Sequence, residues 1–393
     1  MMKIEKGKFI RVIIITVCMT VAVVGILFSV FCKVTGRSLI KGEDYTFVKK
    51  IMSKYGKLYA IQEKMNKDGY FKVSESRQMD AIYKGLVKSL KDPYSEYFTA
   101  GEAKEWNSRL NGTFFGIGVI FAQDKKGDFI IGEVIEKSPA AGAGLKKNDI
   151  IEKVDGKKYK NAEALKKAIT GKAGSKVRVT YRRGSKSADV SIVRGKVTEF
   201  TVKGTVTKEK IGYIRISSFA EKTAEEFKTE LAALEKKNVK GVVIDIRANG
   251  GGYANQGVKI ADMLLPECTI MYVKDSKGKK TYFNSNEDAT KLKYVLLVDG
   301  NTASTSEILT AAVKDNKGGA IVGSKTFGKG VMQVEYPFKD GSALKLTTNQ
   351  YFSPKGHRIN KKGITPDYNV PLKPEYKVDR QLEKAVELLK SAK

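Results

Sequence analysis

Histidine and cysteine are scarce in this 393-residue chain, which contains one histidine and three cysteines. Because His357 is the single histidine, a Cys/His metal cluster is impossible, and any Ser-His-Asp triad would depend on that one residue. Cys18 and Cys32 lie in the apolar N-terminal segment, which leaves Cys268 as the only thiol beyond it. No disulfide can therefore form within the part that follows this segment.

Acidic residues are also in deficit, with 43 Asp and Glu against 72 Lys and Arg and a formal net charge of +29. A basic chain of this kind can bind nucleic acid. Here, however, the lysines are spread through every segment, and no basic run is interleaved with aromatic residues. We therefore expect no nucleic-acid partner, and attraction to anionic lipid or cell-wall polymer fits the charge better.

The N-terminus carries an uncharged apolar run of 21 residues at positions 12–32. About 20 such residues span a bilayer as a helix. Four basic residues precede the run, which favours a cytoplasmic N-terminus, although three more follow it. A cleaved signal peptide is the alternative, but the run is long for one and lacks an obvious small-x-small cleavage site. We expect a single-pass anchor in the cell membrane, with the rest of the chain on the extracytoplasmic side.

The chain is long enough for two or three compact units. Residues 40–100 predict helices, because Phe47, Ile51, Tyr55 and Leu58 repeat on one helical face. The pattern then changes to short strands, and later to alternating strands and helices. The expected organisation is an N-terminus and anchor at 1–36, a helical region at 37–105, a small β domain at 106–195 and an α/β core at 196–393.

The segment from residue 110 resembles a PDZ domain of the bacterial, protease-associated kind. The resemblance rests on the segment from Ser138 to Tyr159, SPAAGAGLKKNDIIEKVDGKKY, with strand-like segments on either side. An unrelated small β domain is the alternative. In such a domain Phe115, Gly116, Ile117 and Gly118 would form the peptide-binding loop, whose backbone N–H groups point at a terminal carboxylate. The next strand offers an edge for a peptide, so the implied ligand is a free C-terminus.

Beyond residue 205 the pattern is that of an α/β core. The apolar runs at 211–219, 241–247 and 294–299 predict strands, the last two covered on both faces. Thr223 and Glu226 have the spacing of a capping box that would begin a helix. A final helix is predicted from Asp379 to about Leu389.

Three glycine-rich or serine-rich segments, 244–252, 297–308 and 322–333, each follow a predicted strand, where α/β sheets place active sites. Each alone is a modest signal. Ser304 or Ser306, for example, could simply cap the helix that begins near Glu307.

Taken together, these segments resemble the carboxyl-terminal processing (tail-specific) serine peptidase family. Its catalytic serine lies in a serine-alanine repeat before Glu-Ile, and its lysine follows 25 residues later in a Thr-Phe-Gly-Lys-Gly context. Ser304 and Lys329 have this spacing, the context is intact at 326–330, and the family's glutamine matches Gln333. Further matches are the segments 92–95 and 363–367 and the Gln381-Leu382 pair.

The chain departs from the family pattern at three positions. Asn249-Gly250-Gly251-Gly252 stands where the family usually has Asn-Pro-Gly-Gly. Thr305 replaces the alanine that usually follows the nucleophile, and Thr302 replaces the first serine of the repeat. No reacting group is lost, because the backbone N–H groups of Gly251 and Thr305, our candidates for an oxyanion hole, remain.

The chemistry of the residues agrees with a Ser-Lys dyad. His357 lies in a lysine-rich turn with no evident orienting acid. Lysine is a base only when neutral, and an unperturbed pKa near 10.4 leaves about 1 in 2,500 molecules neutral at pH 7. Burial against apolar neighbours such as Phe327 could lower that pKa. Gln333 cannot ionise, so it can orient Lys329 without favouring the ammonium form. Arg247 and Glu307 are expected to brace the loops.

The resemblance implies an α/β, crotonase-like core of ββα repeats with an inserted PDZ gate, and it implies no metal or cofactor. The expected function is that of a serine endopeptidase that cleaves the C-terminal tails of exported proteins, and a homodimer is a candidate assembly. A non-catalytic PDZ adaptor and an acyl-CoA-binding enzyme on the same fold are the alternatives.

Overall fold

The structure is a computed structural model that describes residues 6–36, 42–198, 200–286, 289–372 and 378–391. The chain divides into two compact units, residues 1–82 and 83–393.

Long helices make up the start of the chain. Helix α1 (Lys6–Thr35) contains a stretch, Gly7–Thr35, that reaches a mean hydropathy of 2.7 and is long enough to cross a membrane. A membrane anchor and a signal sequence both contain such a helix. Helices α2 (Gly42–Asp68) and α3 (Glu75–Lys88) follow, as the periodicity of residues 40–100 predicts.

A short strand and a helix lead into the β-rich part of the chain. Strand β1 (Glu96–Phe98) follows the turn that the sequence predicts at 92–95. Helix α4 (Ala100–Leu110) begins at a capping box, in which Thr99 and Glu102 satisfy each other's backbone N–H groups.

The expected PDZ segment forms an antiparallel sheet with strand order β3-β4-β5-β6-β7. Strand β3 lies at its edge. Strand β2 pairs separately with β8, so that the entry and exit of the segment lie side by side. The bounds are β2 (Thr113–Gly116), β3 (Val119–Gln123), β4 (Phe129–Val134), α5 (Pro139–Gly142), β5 (Ile150–Val154), α6 (Ala162–Ile169), β6 (Lys176–Arg183), β7 (Lys186–Val193) and β8 (Gly195–Thr198).

The remaining elements form an α/β core of two sheets. They are β9 (Val202–Val206), β10 (Gly212–Ile216), α7 (Thr223–Lys236), β11 (Val242–Asp245), α8 (Ala254–Leu264), β12 (Thr269–Asp275), β13 (Lys280–Asn284), β14 (Tyr294–Val298), α9 (Thr305–Asp315), β15 (Ala320–Gly323), β16 (Val331–Pro337), β17 (Ala343–Phe352), β18 (Tyr368–Asn369) and α10 (Arg380–Ser391). One sheet has the order β18-β15-β14-β11-β10-β9 and is parallel except for β9. The other runs β1-β17-β12-β13, with β16 also paired to β17.

The parallel strands are covered on both faces, as their unbroken apolar runs predict. Along β14, Leu296 and Val298 pack with helices α7, α8 and α9 in the larger core cluster. Val295 and Leu297 point the other way and pack with helix α10. This alternation follows from the two-residue period of a strand. The carboxyl ends of β11, β14 and β15 therefore meet at one edge, where the three glycine-rich or serine-rich segments begin.

The predicted capping box of α7 was wrong. Thr223 is the first helical residue, and its buried hydroxyl accepts from the Ala220 N–H (2.8 Å). Glu226 turns away from the helix start and accepts from the N–H groups of Thr201 and Val202 at the beginning of β9. Glu226 binds these two N–H groups in place of the helix start, because the N–H groups at the beginning of β9 would otherwise be unpaired.

The structure supports the bracing role expected of Arg247. Its guanidinium binds the Asp245 carboxylate at the end of β11, with an Nη2–Oδ2 distance of 2.6 Å. It also binds Asp379 (2.8 Å) and Gln381 (3.0 Å) at the start of α10. Burial would raise the pKa of Asp245, but its bonds with Arg247 and Tyr213 hold that pKa below its usual range. The C-terminal helix is thus tied to the strand that precedes residues 248–252.

Candidate active site

Ser304 occupies the residue before the first turn of α9, in a backbone conformation that side chains rarely adopt. Its φ is +59°, in the left-handed region, which is strained for a residue other than glycine, asparagine or aspartate. Within residues 302–313, Ser304 alone is partly accessible, and all the remaining residues are buried. Ser306, the other serine of the segment, is fully buried and donates to the Asn249 carbonyl (2.9 Å). A substrate could reach Ser304 but not Ser306.

Glu307 connects the serine segment to the lysine segment. Its carboxylate is fully buried and accepts the Ser304 N–H at 2.9 Å. It also accepts the Gly328 N–H (2.7 Å), the Lys329 N–H (2.8 Å) and the Thr326 hydroxyl (2.6 Å). Burial raises the pKa of Glu307, and these four hydrogen bonds oppose that rise. One side chain thus holds the backbones of Ser304 and Lys329 in a fixed relation.

The Lys329 ammonium lies in a partly buried position beside one aromatic ring. Its Nζ is 4.7 Å from the ring centroid of Tyr94. Within the part of the chain that the structure describes, Nζ makes no hydrogen bond and no ion pair. Burial lowers the pKa of Lys329, and the charge of Lys345 lowers it further, while Asp92 and Glu307 act in the opposite direction. A lysine in these surroundings is neutral more often than an exposed one.

Tyr351 was not anticipated from the sequence. The residue is 1% exposed, and its hydroxyl donates to the Lys329 carbonyl. The Ser304 side chain lies beside that hydroxyl and opposes the rise in the pKa of Tyr351 that burial causes. Only the pairing of β17 with β16 brings residues 351 and 329 together, so no local sequence signal could have found this contact.

Gln333 is placed on β16, close to a small polar network. Its Nε2 donates to the Thr347 hydroxyl (3.0 Å). The Thr347 N–H donates to Ser95 Oγ (3.0 Å), and Ser95 donates to Asp92 Oδ2 (2.5 Å). Burial would raise the pKa of Asp92, but its hydrogen bonds lower it overall. The structure thus shows Gln333 bonded to Thr347 and not to Lys329.

Residues 248–252 lie against the serine segment, as the expected oxyanion hole requires. A side chain on Gly251, whose φ is +99°, would place its Cβ 2.8 Å from the Ser304 Cβ and 3.0 Å from the Thr305 nitrogen. Only glycine permits that approach. The Gly251 N–H donates to Asn249 Oδ1 (2.9 Å), whereas the Thr305 N–H has no hydrogen-bond partner among the described residues. Of the two expected donors, one is free and one is engaged.

Two threonines that depart from the family pattern join these segments. Thr305 Oγ1 donates to the Gly252 carbonyl (2.8 Å), and Thr302 Oγ1 donates to the Ile246 carbonyl (3.0 Å). The Ala303 N–H adds a bond to the Asn249 carbonyl (3.0 Å). The hydroxyls fix the glycine-rich loop in place, which an alanine at position 305 could not do.

His357 stands apart from these residues. Its side chain is 71% exposed, and Nδ1 lies 3.5 Å from Asp315 Oδ1. The expectation that no acid accompanies this histidine was therefore wrong. Asp315 is nevertheless engaged by the Ser353 hydroxyl and the Lys355 N–H, in the turn after β17.

The expected peptide-binding loop of the PDZ segment has its carbonyls turned inward. The Ile117 carbonyl accepts from Ala140 (2.7 Å), and the Gly118 carbonyl accepts from Ile135 (3.0 Å). The N–H groups of Ile117 and Gly118 have no partner within the described ranges. A Cβ on Gly118, whose φ is +86°, would meet the Ser138 Cβ at 2.3 Å. Phe115 and Gly116 end strand β2, so the four residues form one turn beside the free edge of β3.

Within the described residues, no group of three or more His, Cys, Asp or Glu side chains could hold a metal ion.

We expect Glu307→Gln to lower both stability and the reactivity of Ser304. The amide keeps the size of the carboxylate but turns an NH₂ group toward backbone N–H donors, and each buried donor left unpaired costs about 1–3 kcal/mol. The measurements are urea unfolding and the rate of labelling by a fluorophosphonate. Glu335→Gln is the control. Glu335 lies on strand β16, is less buried than Glu307, and accepts a hydrogen bond from the Asn107 side chain. Unchanged unfolding and labelling in Glu307→Gln would contradict the bridging role.

Comparison with known proteins finds similarity to a peptidase family and to PDZ domains. The family model for peptidase family S41 matches residues 210–370, and the PDZ domain model matches residues 116–193. A CtpA-like serine protease of Staphylococcus haemolyticus (strain JCSC1435) is 37% identical over 318 residues, covering 79% of this chain and 64% of the relative. One from Staphylococcus aureus (strain bovine RF122 / ET3-1) is 35% identical over 378 residues, covering 93% and 73%.

Among solved structures, the photosystem II D1 C-terminal processing protease superposes with a TM-score of 0.51 at 27% identity. The match covers 90% of this chain and 98% of that protein. The sequence, the fold and these relatives agree, and the chain belongs to peptidase family S41 as a PDZ-containing serine peptidase.

Proposed function

We propose that this chain is an endopeptidase that cleaves the C-terminal tails of exported proteins, with Ser304 as nucleophile and Lys329 as general base. The observation that carries the proposal is the Glu307 bridge. It holds an accessible, strained serine and a partly buried lysine on adjacent loops at the carboxyl edge of a parallel sheet.

The proton transfer follows from the surroundings of the two residues. The Ser304 hydroxyl becomes an effective nucleophile when a base takes its proton. Neutral Lys329 can take it, and burial together with the charge of Lys345 increases the neutral fraction. In the described conformation Nζ rests on the Tyr94 ring, so the dyad closes by a swing of the lysine side chain toward Ser304. Hydrogen bonds of this kind are often formed only once substrate is bound.

The negative charge of the tetrahedral intermediate would fall near the start of α9. The free Thr305 N–H and the positive end of the helix dipole both favour an oxyanion there. The Gly251 N–H would donate to the substrate oxygen once its hydrogen bond to the Asn249 side chain has broken. Gln333 would orient Lys329 once its hydrogen bond to Thr347 has likewise broken. No metal or cofactor has a role in these steps.

Substrate capture is assigned to the PDZ segment. The unpaired N–H groups of Ile117 and Gly118 suit a terminal carboxylate, and the free edge of β3 can take up the peptide as an added strand. Helix α1 fits a single-pass anchor that holds the catalytic part on the extracytoplasmic side of the cell membrane. A homodimer is compatible with this arrangement. We further propose the boundaries 1–36, 37–105, 106–195 and 196–393 for the anchor, the helical region, the PDZ domain and the peptidase core.

The decisive experiment compares Ser304→Ala with Ser306→Ala in cleavage of an unstructured protein tail. Loss of the nucleophile lowers kcat on the order of 10⁶-fold in a serine peptidase. Ser306→Ala removes one buried hydrogen bond, worth about 1 kcal/mol of stability, and retains substantial activity. An inactive Ser306→Ala together with an active Ser304→Ala would reverse the assignment. If the unsubstituted protein cleaves no tail and Ser304 takes no fluorophosphonate label, the PDZ adaptor without catalysis becomes the better interpretation.

The pH profile tests Lys329 as the base. The neutral amine is the active form, so kcat/KM rises with pH through the pKa of Lys329 in the free enzyme. Lys345→Met removes a charge that lowers this pKa and should move the rise to higher pH. Asp92→Asn removes a charge that raises it and should move the rise to lower pH.

Two controls accompany that profile. Lys329→Arg should be as inactive as Lys329→Ala, because arginine stays protonated. His357→Gln should leave the profile in place. Shifts of the same sign in Lys345→Met and Asp92→Asn, or an active Lys329→Arg, would exclude Lys329 as the base.

The PDZ assignment predicts dependence on a free carboxylate. In the Ser304→Ala protein, which cannot cleave the ligand, amidation of a peptide's C-terminus should weaken binding by about 1.5–3 kcal/mol, the value of one charge-assisted hydrogen bond. Isothermal titration of the acid and amide forms of one peptide measures the difference. Equal affinities would rule out recognition through the Phe115–Gly118 turn.

A further inference from the structure

The first two-thirds of helix α2 expose large apolar side chains that the fold does not bury. Tyr45, Phe47, Met52 and Tyr59 are each more than half exposed, and Val48, Ile51 and Tyr55 are 46%, 39% and 46% exposed. Single exposed apolar residues are ordinary on protein surfaces, but seven within 15 residues of one helix are not. Such a concentration indicates a surface that is covered by another component.

The seven side chains lie on one half of the helix. At 100° per residue, Phe47, Ile51, Tyr55, Val48 and Tyr59 follow one another around about a third of the circumference, with Met52 and Tyr45 beside them. The opposite half carries six exposed lysines, at positions 49, 50, 54, 57, 64 and 67. Helix α2 is therefore a basic amphipathic helix with four aromatic residues on its apolar side.

The neighbouring helix α3 forms hydrogen bonds with α2 beyond this surface. Gln62 and Asn66 of α2 bind Gln78 of α3, with Nε2–Oε1 and Nε2–Oδ1 distances of 3.4 and 2.7 Å. These polar contacts fix the C-terminal third of α2 and leave the seven apolar side chains at 45–59 exposed, while Leu58 beside them is partly buried.

The position of α2 in the chain limits where this surface can be. Helix α1 ends at Thr35 and α2 begins at Gly42. Seven residue steps span at most about 25 Å when fully extended, so the start of α2 lies within that distance of the end of the proposed membrane anchor.

We propose that helix α2 lies on the surface of an anionic membrane, with its apolar half in the headgroup region and its lysines directed to lipid phosphates. This inference rests on the proposed anchoring by α1. Interfacial helices combine an apolar face carrying aromatic residues with a lysine-rich polar face. Tyrosine suits this depth because its ring is apolar and its hydroxyl reaches water. A second copy of the chain fits less well, since pairing through the apolar halves directs both sets of six lysines outward and gives them no anionic partner, which lipid phosphates supply.

The experiment uses the full-length protein in vesicles, with a fluorescent label on a single cysteine. Three proteins are compared: one keeps only Cys18, one carries only Ile51→Cys and one carries only Ser53→Cys. Residues 51 and 53 are neighbours along the helix but lie on opposite sides of it. Quenching by a nitroxide on the lipid acyl chain and by aqueous iodide is measured in phosphatidylcholine vesicles with and without phosphatidylglycerol.

Docking on lipid predicts that the label at position 51 is quenched by the nitroxide lipid and protected from iodide, and that the label at 53 shows the reverse. Phosphatidylglycerol should strengthen the contrast and salt should weaken it. A single substitution by Gln should lower the ratio of docked to undocked helix about fivefold at any one of Lys49, Lys54 and Lys57. These results would support the proposal.

A label at 51 that is open to iodide would overturn it. Two results together would overturn it in favour of a dimer. The label at 51 would be shielded from both quenchers, and the unlabelled cysteine at 51 would form a disulfide with a second copy of the chain. The Cys18 label reports separately on the anchor. If it is quenched by lipid while the label at 51 is not, the docking proposal fails and the proposed anchoring stands.

Discussion

A buried carboxylate that forms no ion pair with any described residue organises this site, and the arrangement of the other residues depends on it. Glu307 is desolvated, which would be costly if its oxygens were unpaired. Four donors satisfy it, and three of them are backbone N–H groups from Ser304, Gly328 and Lys329. Its position in the first turn of α9 adds the favourable field of the helix N-terminus. Because backbone groups make these bonds, Glu307 fixes the course of two loops without consuming either reacting side chain.

Hydrogen bonds to backbone groups also fix the glycine-rich loop. Its carbonyls at Ile246, Asn249 and Gly252 all accept from the segment 302–306. Residues that look like further nucleophile candidates in the sequence thus prove to be hydrogen-bond donors to the neighbouring loop. Gly251 can then lie within van der Waals contact of Ser304 because it has no side chain. The accessible Ser304 hydroxyl is not among the donors to that loop.

The surroundings of Lys329 combine opposing influences on one amine. Burial and the positive charge of Lys345 destabilise the ammonium form, and the carboxylates of Asp92 and Glu307 stabilise it. The Tyr94 ring gives the ammonium a favourable resting place outside the dyad. Asp92 and Tyr94 come from the segment before β1, and Lys345 from β17, which pairs with β1. The antiparallel sheet therefore sets the charge environment of a residue whose loop follows the parallel sheet.

The sequence alone determined the elements that depend on local pattern. The apolar runs of β11 and β14 predicted strands covered on both faces, and α7, α9 and α10 bury them as expected. The resemblance of residues 326–333 and of the serine segment to one peptidase family identified the family correctly. These features are legible because side-chain periodicity and short motifs depend on residues close together in the chain.

The tertiary structure decided everything that joins distant residues. Strand pairing places Tyr351 beside Ser304 and Lys345 near Lys329. Donors supplied by strand β9 engage Glu226, which therefore does not cap its helix. Asp315 beside His357 is a further case. Gln333 on Thr347 and the Gly251 N–H on Asn249 likewise depend on which partner is nearest in three dimensions. Hydrogen bonds and charges act over a few ångströms of space, whatever the separation in sequence, and a linear pattern carries no record of that distance.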